Sequence, residues 1–209
     1  MRTANFNLTL EHVLDHIHQD GYGVIDNAID ENLIELLLTD CLSQQALFQL
    51  AGIGRQLDKQ LNPTIRSDKT KWFEHDNLIQ QHYLALMEQL RTAINRHFFL
   101  GLFDYECHYA TYHHGDFYKK HFDAFKGRSN RVFTTVLYLN TPKQGGELVI
   151  YQPKSKDVLA TIAPKAGTLV VFESERFAHE VLPAVDIRHS IAGWFRKNNS
   201  VNGVIDPTN

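Results

Sequence analysis

The sequence predicts an α+β fold that is mainly β: a double-sheet jelly roll, or double-stranded β-helix, with N-terminal helices packed on one sheet. Two observations support this prediction. In roughly the first 100 residues, apolar side chains recur at spacings of three and four, as on one face of a helix. Beyond them, short runs rich in Val, Ile, Thr and aromatic residues alternate with Gly, Pro and Asn, which is typical of an antiparallel sandwich or barrel.

The chain is predicted to begin with a helix followed by a strand. The helix covers residues 8–18, and the turn sequence Asp20-Gly21 ends it. Its apolar stripe consists of Leu10, Val13, Leu14 and Ile17. Residues 22–26 are rich in β-forming side chains and predict a short strand.

Two more helices are predicted before the β-rich half. One covers residues 29–50, from the candidate N-cap Asp30 to the helix breaker Gly52. Residues 55–70 have few apolar positions and predict a surface loop within the segment 55–75, after which a helix is expected over 77–98.

The β-rich half is predicted to contain seven strands in one domain with the helices. The predicted strands cover residues 105–112, 131–140, 146–152, 158–163, 168–173, 179–183 and 189–196. Residues 1–100 are then a helical support within that domain, 101–197 form the jelly-roll core, and 198–209 form a tail.

Charge and composition exclude several classes of protein. Lys and Arg total 21 against 24 Asp and Glu, and no long run of either sign occurs, so a basic footprint for nucleic acid is absent. The two cysteines, Cys41 and Cys107, are too few for a disulfide scaffold. No stretch approaches the ~20 apolar residues that span a bilayer. We therefore expect a cytoplasmic protein without nucleic-acid or membrane partners.

Histidine is the unusual residue, with 12 in the chain, and it is the commonest metal ligand. Chance predicts about one His-x-Asp sequence for this composition, and three occur: His18/Asp20, His114/Asp116 and His121/Asp123. The first lies at a helix end and the second in a predicted loop, so structural roles are expected for both. In an extended chain His121 and Asp123 project to the same face, as two neighbouring metal ligands require.

A third ligand must come from a distant segment. His179 starts a predicted strand, and together with His121 and Asp123 it completes the two-histidine, one-carboxylate set that holds iron(II) and leaves other positions open. Arg188 lies nine residues further on. An arginine directed into a barrel needs a buried anion, and its planar guanidinium suits a carboxylate such as the acid end of 2-oxoglutarate. Tyr138, on another predicted strand, offers a hydroxyl to the same carboxylate.

Five runs follow one another along the β-rich half. They are Tyr118-Lys119-Lys120-His121-Phe122-Asp123, Val136-Leu137-Tyr138-Leu139-Asn140, Gly145-Gly146-Glu147-Leu148, His179-Glu180-Val181 and Arg188-His189-Ser190-Ile191-Ala192-Gly193-Trp194-Phe195. In order and spacing they resemble the iron(II)- and 2-oxoglutarate-dependent prolyl hydroxylases, most of all the hypoxia-sensing type and its bacterial relatives. The resemblance covers roughly residues 20–197.

The resemblance implies a role for each matching residue of the cofactor site. It implies His121, Asp123 and His179 as the iron ligands. The implied residues for 2-oxoglutarate are Arg188 and Tyr138 at its distal carboxylate, with Tyr112 and Trp194 in the same pocket. Tyr112 matches only if one residue is gapped before His121.

The resemblance also extends to the predicted loop. Ile65-Arg66-Ser67-Asp68-Lys69 followed by Trp72 is similar to the mobile loop that these enzymes fold over the substrate peptide. Asp68 and Arg131 match positions that pair between this loop and the barrel opening, which implies a part in substrate binding. Ser67 departs from the family, whose loop tends to have glycine here.

The function implied by the resemblance is trans-4-hydroxylation of a prolyl residue in a flexible segment of a protein target, with succinate and carbon dioxide as co-products. A translation factor is one class of target suggested by the bacterial relatives. The implied cofactor is Fe(II), the co-substrates are 2-oxoglutarate and oxygen, and ascorbate is a candidate reductant. Two alternatives stay open: an oxygenase of a free amino acid or small metabolite, and a non-catalytic jelly-roll binding module.

Overall fold

The structure is a computed structural model that describes residues 5–52, 62–74, 76–124, 130–198, 200–201 and 204–205. The α-helices are α1 (Phe6–Asp20), α2 (Glu31–Ser43) and α3 (Leu78–Phe98). The strands are β1 (Tyr22–Ile25), β2 (Gln49–Leu50), β3 (Lys69–Trp72), β4 (Leu102–Tyr112), β5 (Tyr118–His121), β6 (Arg131–Tyr138), β7 (Leu148–Tyr151), β8 (Val158–Ile162), β9 (Leu169–Glu173), β10 (His179–Val181), β11 (Arg188–Lys197), β12 (Ser200–Val201) and β13 (Val204–Ile205).

Each α-helix begins at a polar residue whose side chain accepts hydrogen bonds from the first turn. Asn5 caps α1, Asp30 caps α2, and Asn77 accepts from two backbone amides at the start of α3. The first helix ends at Gly21, whose φ of 78° is the left-handed conformation that glycine adopts without steric cost.

Eleven of the strands form two antiparallel sheets that face each other, as a jelly roll requires. The larger sheet has the order β1-β9-β6-β11-β4-β3-β2, and the smaller has the order β5-β10-β7-β8. The predicted mainly β jelly roll with accompanying helices is thereby confirmed.

Alternation along the strands divides the apolar residues between two cores. On β9, Leu169 and Val171 pack in a cluster with α1, α2 and α3, whereas Val170 and Phe172 pack in a second cluster that joins the two sheets. The helices therefore cover one face of the larger sheet, and the other face looks toward the smaller sheet. The candidate site lies between the sheets.

The structure corrects the prediction of one long helix over 29–50. The helix α2 ends at Ser43 because the Gln45 side chain turns back and donates to the carbonyl of Cys41, at 3.0 Å. A short 3-10 helix, Gln45–Leu47, follows, and the strand β2 then pairs with β3.

The predicted loop at 55–75 also contains structure. Residues 53–61 and 75 lie outside the described residues, but β3 falls within the loop and pairs with both β2 and β4. Its composition is polar because it lies near a sheet edge, which explains why hydrophobic patterning did not reveal it.

The predicted tail at 198–209 falls largely outside the described residues. Within it, β12 and β13 pair as a small antiparallel ribbon. None of the described helices is both long and apolar enough to cross a membrane.

Candidate active site

Three side chains that the sequence singled out converge between the sheets. His121 ends β5 and His179 starts β10, and the two are directly opposed in antiparallel register. Asp123 follows two residues after His121, just beyond the strand. One ligand atom from each of the three residues lies within 4.8 Å of the others. Within the described chain this is the one cluster of three His, Cys, Asp or Glu side chains close enough to share a metal ion.

The backbone orients both imidazoles toward a shared point. His121 Nδ1 lies 2.7 Å from the carbonyl oxygen of Lys119, and His179 Nδ1 lies 3.3 Å from that of Phe177. A carbonyl oxygen only accepts, so each Nδ1 carries the proton and each Nε2 presents its lone pair. The two Nε2 atoms lie 3.5 Å and 3.3 Å from the Asp123 carboxylate oxygens.

Asp123 is held as a buried carboxylate. Burial opposes its ionisation, but the adjacent imidazoles of His179 and His121 prevail and keep its pKa well below the usual range. Thr134, on β6, donates a hydrogen bond of 2.8 Å to its Oδ2. Burial and the neighbouring His179 lower the pKa of His121, which favours the neutral ring that a metal requires.

A cavity of about 130 Å³ adjoins the three side chains. One face of β11 supplies part of its wall, through Arg188, Ser190, Ala192 and Trp194. His189, between them, points the other way and bonds to Thr111 at 3.0 Å. This is the alternation of side chains expected of a regular strand.

Arg188 is a buried cation in this cavity, with 2% of its surface exposed. Among the described residues, its Nε and Nη1 have no hydrogen-bond partner, and neither has the hydroxyl of the nearby Tyr138. The guanidinium carbon lies 4.6 Å from the centre of the Tyr112 ring and 4.9 Å from that of Tyr138. A buried guanidinium with free donors beside a free hydroxyl fits a carboxylate group of a ligand.

Gly146 makes room for Arg188. A Cβ atom on Gly146 would lie 2.9 Å from the Cδ of Arg188, and its φ of 75° is unfavourable for other residues. The Gly-Gly-Glu-Leu run of the sequence thus has a direct role in shaping this part of the cavity.

Trp194 forms another part of the wall and lies against Arg131, which also lines the cavity and belongs to a group of charged residues. The guanidinium of Arg131 lies 3.5 Å from the centre of its ring. Arg131 is held by Glu106, at 2.9 Å and 2.8 Å, and Glu106 also contacts Arg196 at 3.1 Å.

The predicted Asp68–Arg131 ion pair needs correction. Asp68, which is fully buried, pairs in bidentate fashion with Arg66, at 2.6 Å and 2.9 Å, whereas Arg131 pairs with Glu106. Arg66 is only two residues from Asp68, so its planar guanidinium reaches both carboxylate oxygens from within the same segment.

Sequence reasoning gave no role to several residues that contact the site. Among them are Arg66 and Tyr118, which line the cavity, and Thr134, which holds Asp123; His108, considered from the sequence only as a residue that could orient a ligand, also lines the cavity. Arg66 and Tyr118 stand inside the runs that carry the resemblance, so the signal was present without a role attached. The alternation along β4 and β6 places His108 and Thr134 on the cavity face, but only the strand register reveals this.

The other two His-x-Asp sequences have structural surroundings. His18 lies against His97 and Phe98, with ring centres 6.1 Å and 6.4 Å away. His114 Nδ1 lies 3.0 Å from the carbonyl of Val185 in a turn. Neither joins the cluster around Asp123.

Comparisons with known proteins place this geometry in a family. Residues 107–196 match the family model of the 2OG-Fe(II) oxygenase superfamily. A prolyl-4-hydroxylase from Pseudomonas putida is 36% identical, with 91% of this chain and 100% of that chain covered and a TM-score of 0.82. A search of curated proteins found no match.

Two further solved structures share the fold. A prolyl hydroxylase from Trichoplax adhaerens, solved with a hypoxia inducible factor oxygen degradation domain peptide, is 26% identical, covers 92% of this chain and 90% of its own, and gives a TM-score of 0.77. A viral collagen prolyl hydroxylase from Paramecium Bursaria Chlorella virus-1, in a 2OG complex, is 19% identical, covers 86% of this chain and 98% of its own, and gives a TM-score of 0.62. The chain belongs to the 2-oxoglutarate- and iron(II)-dependent oxygenases, with prolyl 4-hydroxylases among its structural relatives.

Proposed function

We propose that this oxygenase hydroxylates a prolyl residue, at C4 and in the trans position, in a protein target. The observation that supports the proposal most strongly is the buried Arg188, two of whose donors have no partner among the described residues, placed in one cavity with His121, Asp123 and His179. A metal-binding module would need the three ligands but would have no use for a buried, unpaired guanidinium beside them.

The residues of the cavity fit iron and 2-oxoglutarate. The Nε2 atoms of His121 and His179 and the carboxylate of Asp123 would hold Fe(II) on one side. Arg188 and Tyr138 would bind the distal carboxylate of 2-oxoglutarate. When bound, the iron supplies the redox chemistry: decarboxylation of 2-oxoglutarate to succinate and carbon dioxide, coupled to insertion of one oxygen atom into a C–H bond.

The protein's own contribution is binding and orientation. Thr134 and the two backbone carbonyls fix the ligands before the metal arrives. Tyr112 and Trp194 close the apolar sides of the cavity and exclude water from it, and Trp194 is itself held by the Arg131 guanidinium. No protein nucleophile or general base is required for this reaction.

A prolyl target is supported by the opening of the cavity. Trp72 lies on the wall with 39% of its surface exposed, and its ring centre is 6.2 Å from that of Trp194. Exposed and buried indoles together offer an apolar surface to a pyrrolidine ring. The relatives named prolyl hydroxylases, one of them solved with a peptide, favour a polypeptide over a free amino acid.

Comparison of cellular proteins tests the choice of target. Proteins from cells with and without the gene are digested and searched by mass spectrometry for proline that has gained one oxygen. We expect one or a few such sites, in flexible segments, that are lost with the gene; a translation factor is the class to examine first. No gene-dependent site would contradict a protein target.

Turnover separates an enzyme from a binding module. Purified protein with iron(II), 2-oxoglutarate, oxygen and ascorbate should form succinate, and the Asp123→Ala variant should not. The His114→Ala variant is the matched control, because His114 belongs to a His-x-Asp sequence outside the site. Absence of succinate with the wild-type protein would favour the non-catalytic alternative.

A further inference from the structure

Tyr118 is in contact with a proposed metal ligand and with a distant part of the chain. Its ring is stacked on the imidazole of His121, with ring centres 3.5 Å apart and planes inclined by 16°. The guanidinium carbon of Arg66 lies 4.5 Å from the centre of the same ring. The Tyr118 ring therefore contacts both His121, at the end of β5, and Arg66, which is more than 50 residues away in the sequence.

Arg66 is held in turn by the buried carboxylate of Asp68. Its Nε and Nη2 form bonds of 2.6 Å and 2.9 Å to Asp68, which has no exposed surface. A buried bidentate pair fixes the plane of the guanidinium as well as its position. Burial lowers the stability of the Arg66 cation, but the Asp68 carboxylate outweighs that effect, so the pKa of Arg66 is raised.

The backbone of the same segment is bonded to β5. The amide of Lys119 donates to the carbonyl of Ile65 at 2.9 Å, and the amide of Ser67 donates to the carbonyl of Phe117 at 3.1 Å. The hydroxyl of Ser67 also accepts from the amide of Phe117, at 3.2 Å. Residues 65–68, here called the docked segment, thus extend the smaller sheet beside His121, while β3 directly after them belongs to the larger sheet.

Stacking on Tyr118 restrains the tilt of the His121 ring, which the hydrogen bond of its Nδ1 does not fix. The single bond from Nδ1 to the Lys119 carbonyl fixes the tautomer and one direction, but the ring can still tilt about that bond. A flat ring at 3.5 Å limits this tilt. We propose that Tyr118 is a positioning residue for His121, and that through it the affinity for metal depends on the docking of residues 65–68. The inference rests on the metal site of the proposed function.

Cobalt(II) binding tests the role of the ring. Cobalt(II) serves as a probe that is detected by its visible absorption, with no turnover needed. Loss of a residue that orients a metal ligand typically weakens affinity by about 10- to 100-fold, and we expect at least the low end of that range for Tyr118→Leu. Tyr118→Phe keeps the aromatic ring, so this variant should show the cobalt affinity and the absorption spectrum of the wild type.

Phe117→Leu is the matched control, since it removes a neighbouring aromatic ring that is not stacked on His121. Its affinity for cobalt should stay within about threefold of the wild type, well short of the ~10-fold change expected from loss of orientation. Circular dichroism establishes that each variant is folded. A folded Tyr118→Leu protein with wild-type affinity and spectrum would overturn the inference.

A second pair of measurements tests the connection to the docked segment. Arg66→Lys retains a charge for Asp68 but loses the planar group over Tyr118, so cobalt affinity should fall by about threefold or more. In a Tyr118→Leu background the same change should have no further effect, because its route to His121 is already removed. Equal effects of Arg66→Lys in both backgrounds would contradict the proposed route.

Linkage requires the reverse effect as well. If docking strengthens metal binding, cobalt must stabilise docking, so the amides of Ser67 and Lys119 should exchange more slowly in the cobalt-loaded protein. Tyr118→Leu should abolish this gain in protection at saturating cobalt, and persistence of the gain would contradict the inference.

The cobalt measurements also distinguish failure of the metal site from failure of the inference. If the wild-type protein does not bind cobalt, or if Asp123→Ala binds it with wild-type affinity, both the metal site and the inference are overturned. If the wild type binds cobalt but the affinity does not depend on Tyr118, only the inference is overturned.

Discussion

Arg188 is the residue whose environment says most about the chemistry. It is nearly inaccessible, two of its donors are without a partner in the part of the chain that the structure describes, and glycine at position 146 leaves space for its side chain. Burial of an unpaired charge costs free energy, so a buried guanidinium of this kind is expected where the anionic group of a ligand pairs with it.

Arg188→Ala should therefore weaken the binding of 2-oxoglutarate. A hydrogen bond to a charged group contributes about 1.5–3 kcal/mol, so we expect the dissociation constant to rise at least about tenfold. Calorimetric titration of the metal-loaded protein measures it. Arg91→Ala, on α3 and outside the cavity lining, is the control. An unchanged constant for Arg188→Ala would remove Arg188 from this role.

His108 makes the stability of the fold depend on pH. Burial is the main reason that its pKa falls from 6.5 to about 3, with the nearby Arg66 adding to the effect. Between these values the unfolded chain binds a proton that the folded protein does not, so stability is fully present above the unfolded pKa and decreases as the pH falls. One such group contributes about 1.4 kcal/mol per pH unit.

His108→Asn should flatten this dependence. Between pH 7 and about pH 5 the wild type should lose roughly 2 kcal/mol more of its unfolding free energy than the variant, as one unit of proton uptake requires. Urea denaturation at several pH values measures the difference. His189, whose pKa burial lowers to about 4, is present in both proteins and cancels. Parallel pH curves would contradict the prediction.

At the scale of elements, Asp40 connects two helices to the larger sheet. Its carboxylate accepts from Asn77 and Gln80 of the α3 region, at 2.8 Å and 2.9 Å, and from the hydroxyl of Tyr109 on β4, at 2.8 Å. Burial opposes its charge, but these hydrogen bonds prevail and lower its pKa.

Asp40→Ala leaves those donors without an acceptor inside the helical core. We expect the free energy of unfolding to decrease by about 3 kcal/mol, from the loss of hydrogen bonds to a buried charge. Asp15→Ala, at an exposed position of α1, should change it by less than about 0.5 kcal/mol. Equal stabilities of the two variants in urea would contradict the role of Asp40.

Two glycines with left-handed backbone conformation allow the effect of backbone strain to be separated from an effect on the cavity. Gly146 and Gly115 have φ values of 75° and 85°, but only at Gly146 would a Cβ atom meet a side chain, that of Arg188. Both alanine variants should lose about 1 kcal/mol of stability. Only Gly146→Ala should also weaken 2-oxoglutarate binding in calorimetry, because it displaces Arg188; wild-type binding by Gly146→Ala would show that the cavity tolerates the methyl group.

Much of the architecture can be predicted from the hydrophobic pattern of the sequence, and the elements that it does not reveal have physical causes. Strands such as β9 and β11 are buried on both faces and rich in apolar residues, so pattern alone reveals them. The strands β3 and β5 are short, polar and close to sheet edges, where partners rather than composition decide the structure. The end of α2 depends on the Gln45 side chain, which no periodicity records.

The candidate site shows the same division. His121, Asp123 and His179 could be chosen because their residue types and spacing imply metal chemistry. The partner of Asp68 could not, since Arg66 and Arg131 are both arginines and only the fold shows which one reaches it. Likewise Phe122, which alternation along an extended chain turns away from His121 and Asp123, is not packed in the core: 39% of its surface is exposed just where the chain leaves β5.

At the scale of the whole molecule, two cores divide structural support from chemistry. The helices and one face of the larger sheet share the first core, and the second joins the sheets around the cavity. The two histidine ligands come from β5 and β10 of the smaller sheet and Asp123 follows β5, whereas Arg188 comes from β11 of the larger sheet. The site therefore exists only when both sheets are assembled, and the relatives that match nearly the full chain share that assembly.

The most direct measurement follows oxygen from ¹⁸O₂ into the products of a reaction with a proline-containing peptide, taken from a protein that is modified only when the gene is present. Our account predicts one labelled oxygen at C4 of the proline and one in succinate, in equal amounts, and neither with Asp123→Ala. Succinate formed without label in the peptide would contradict a prolyl target, and absence of both products would contradict the oxygenase site itself.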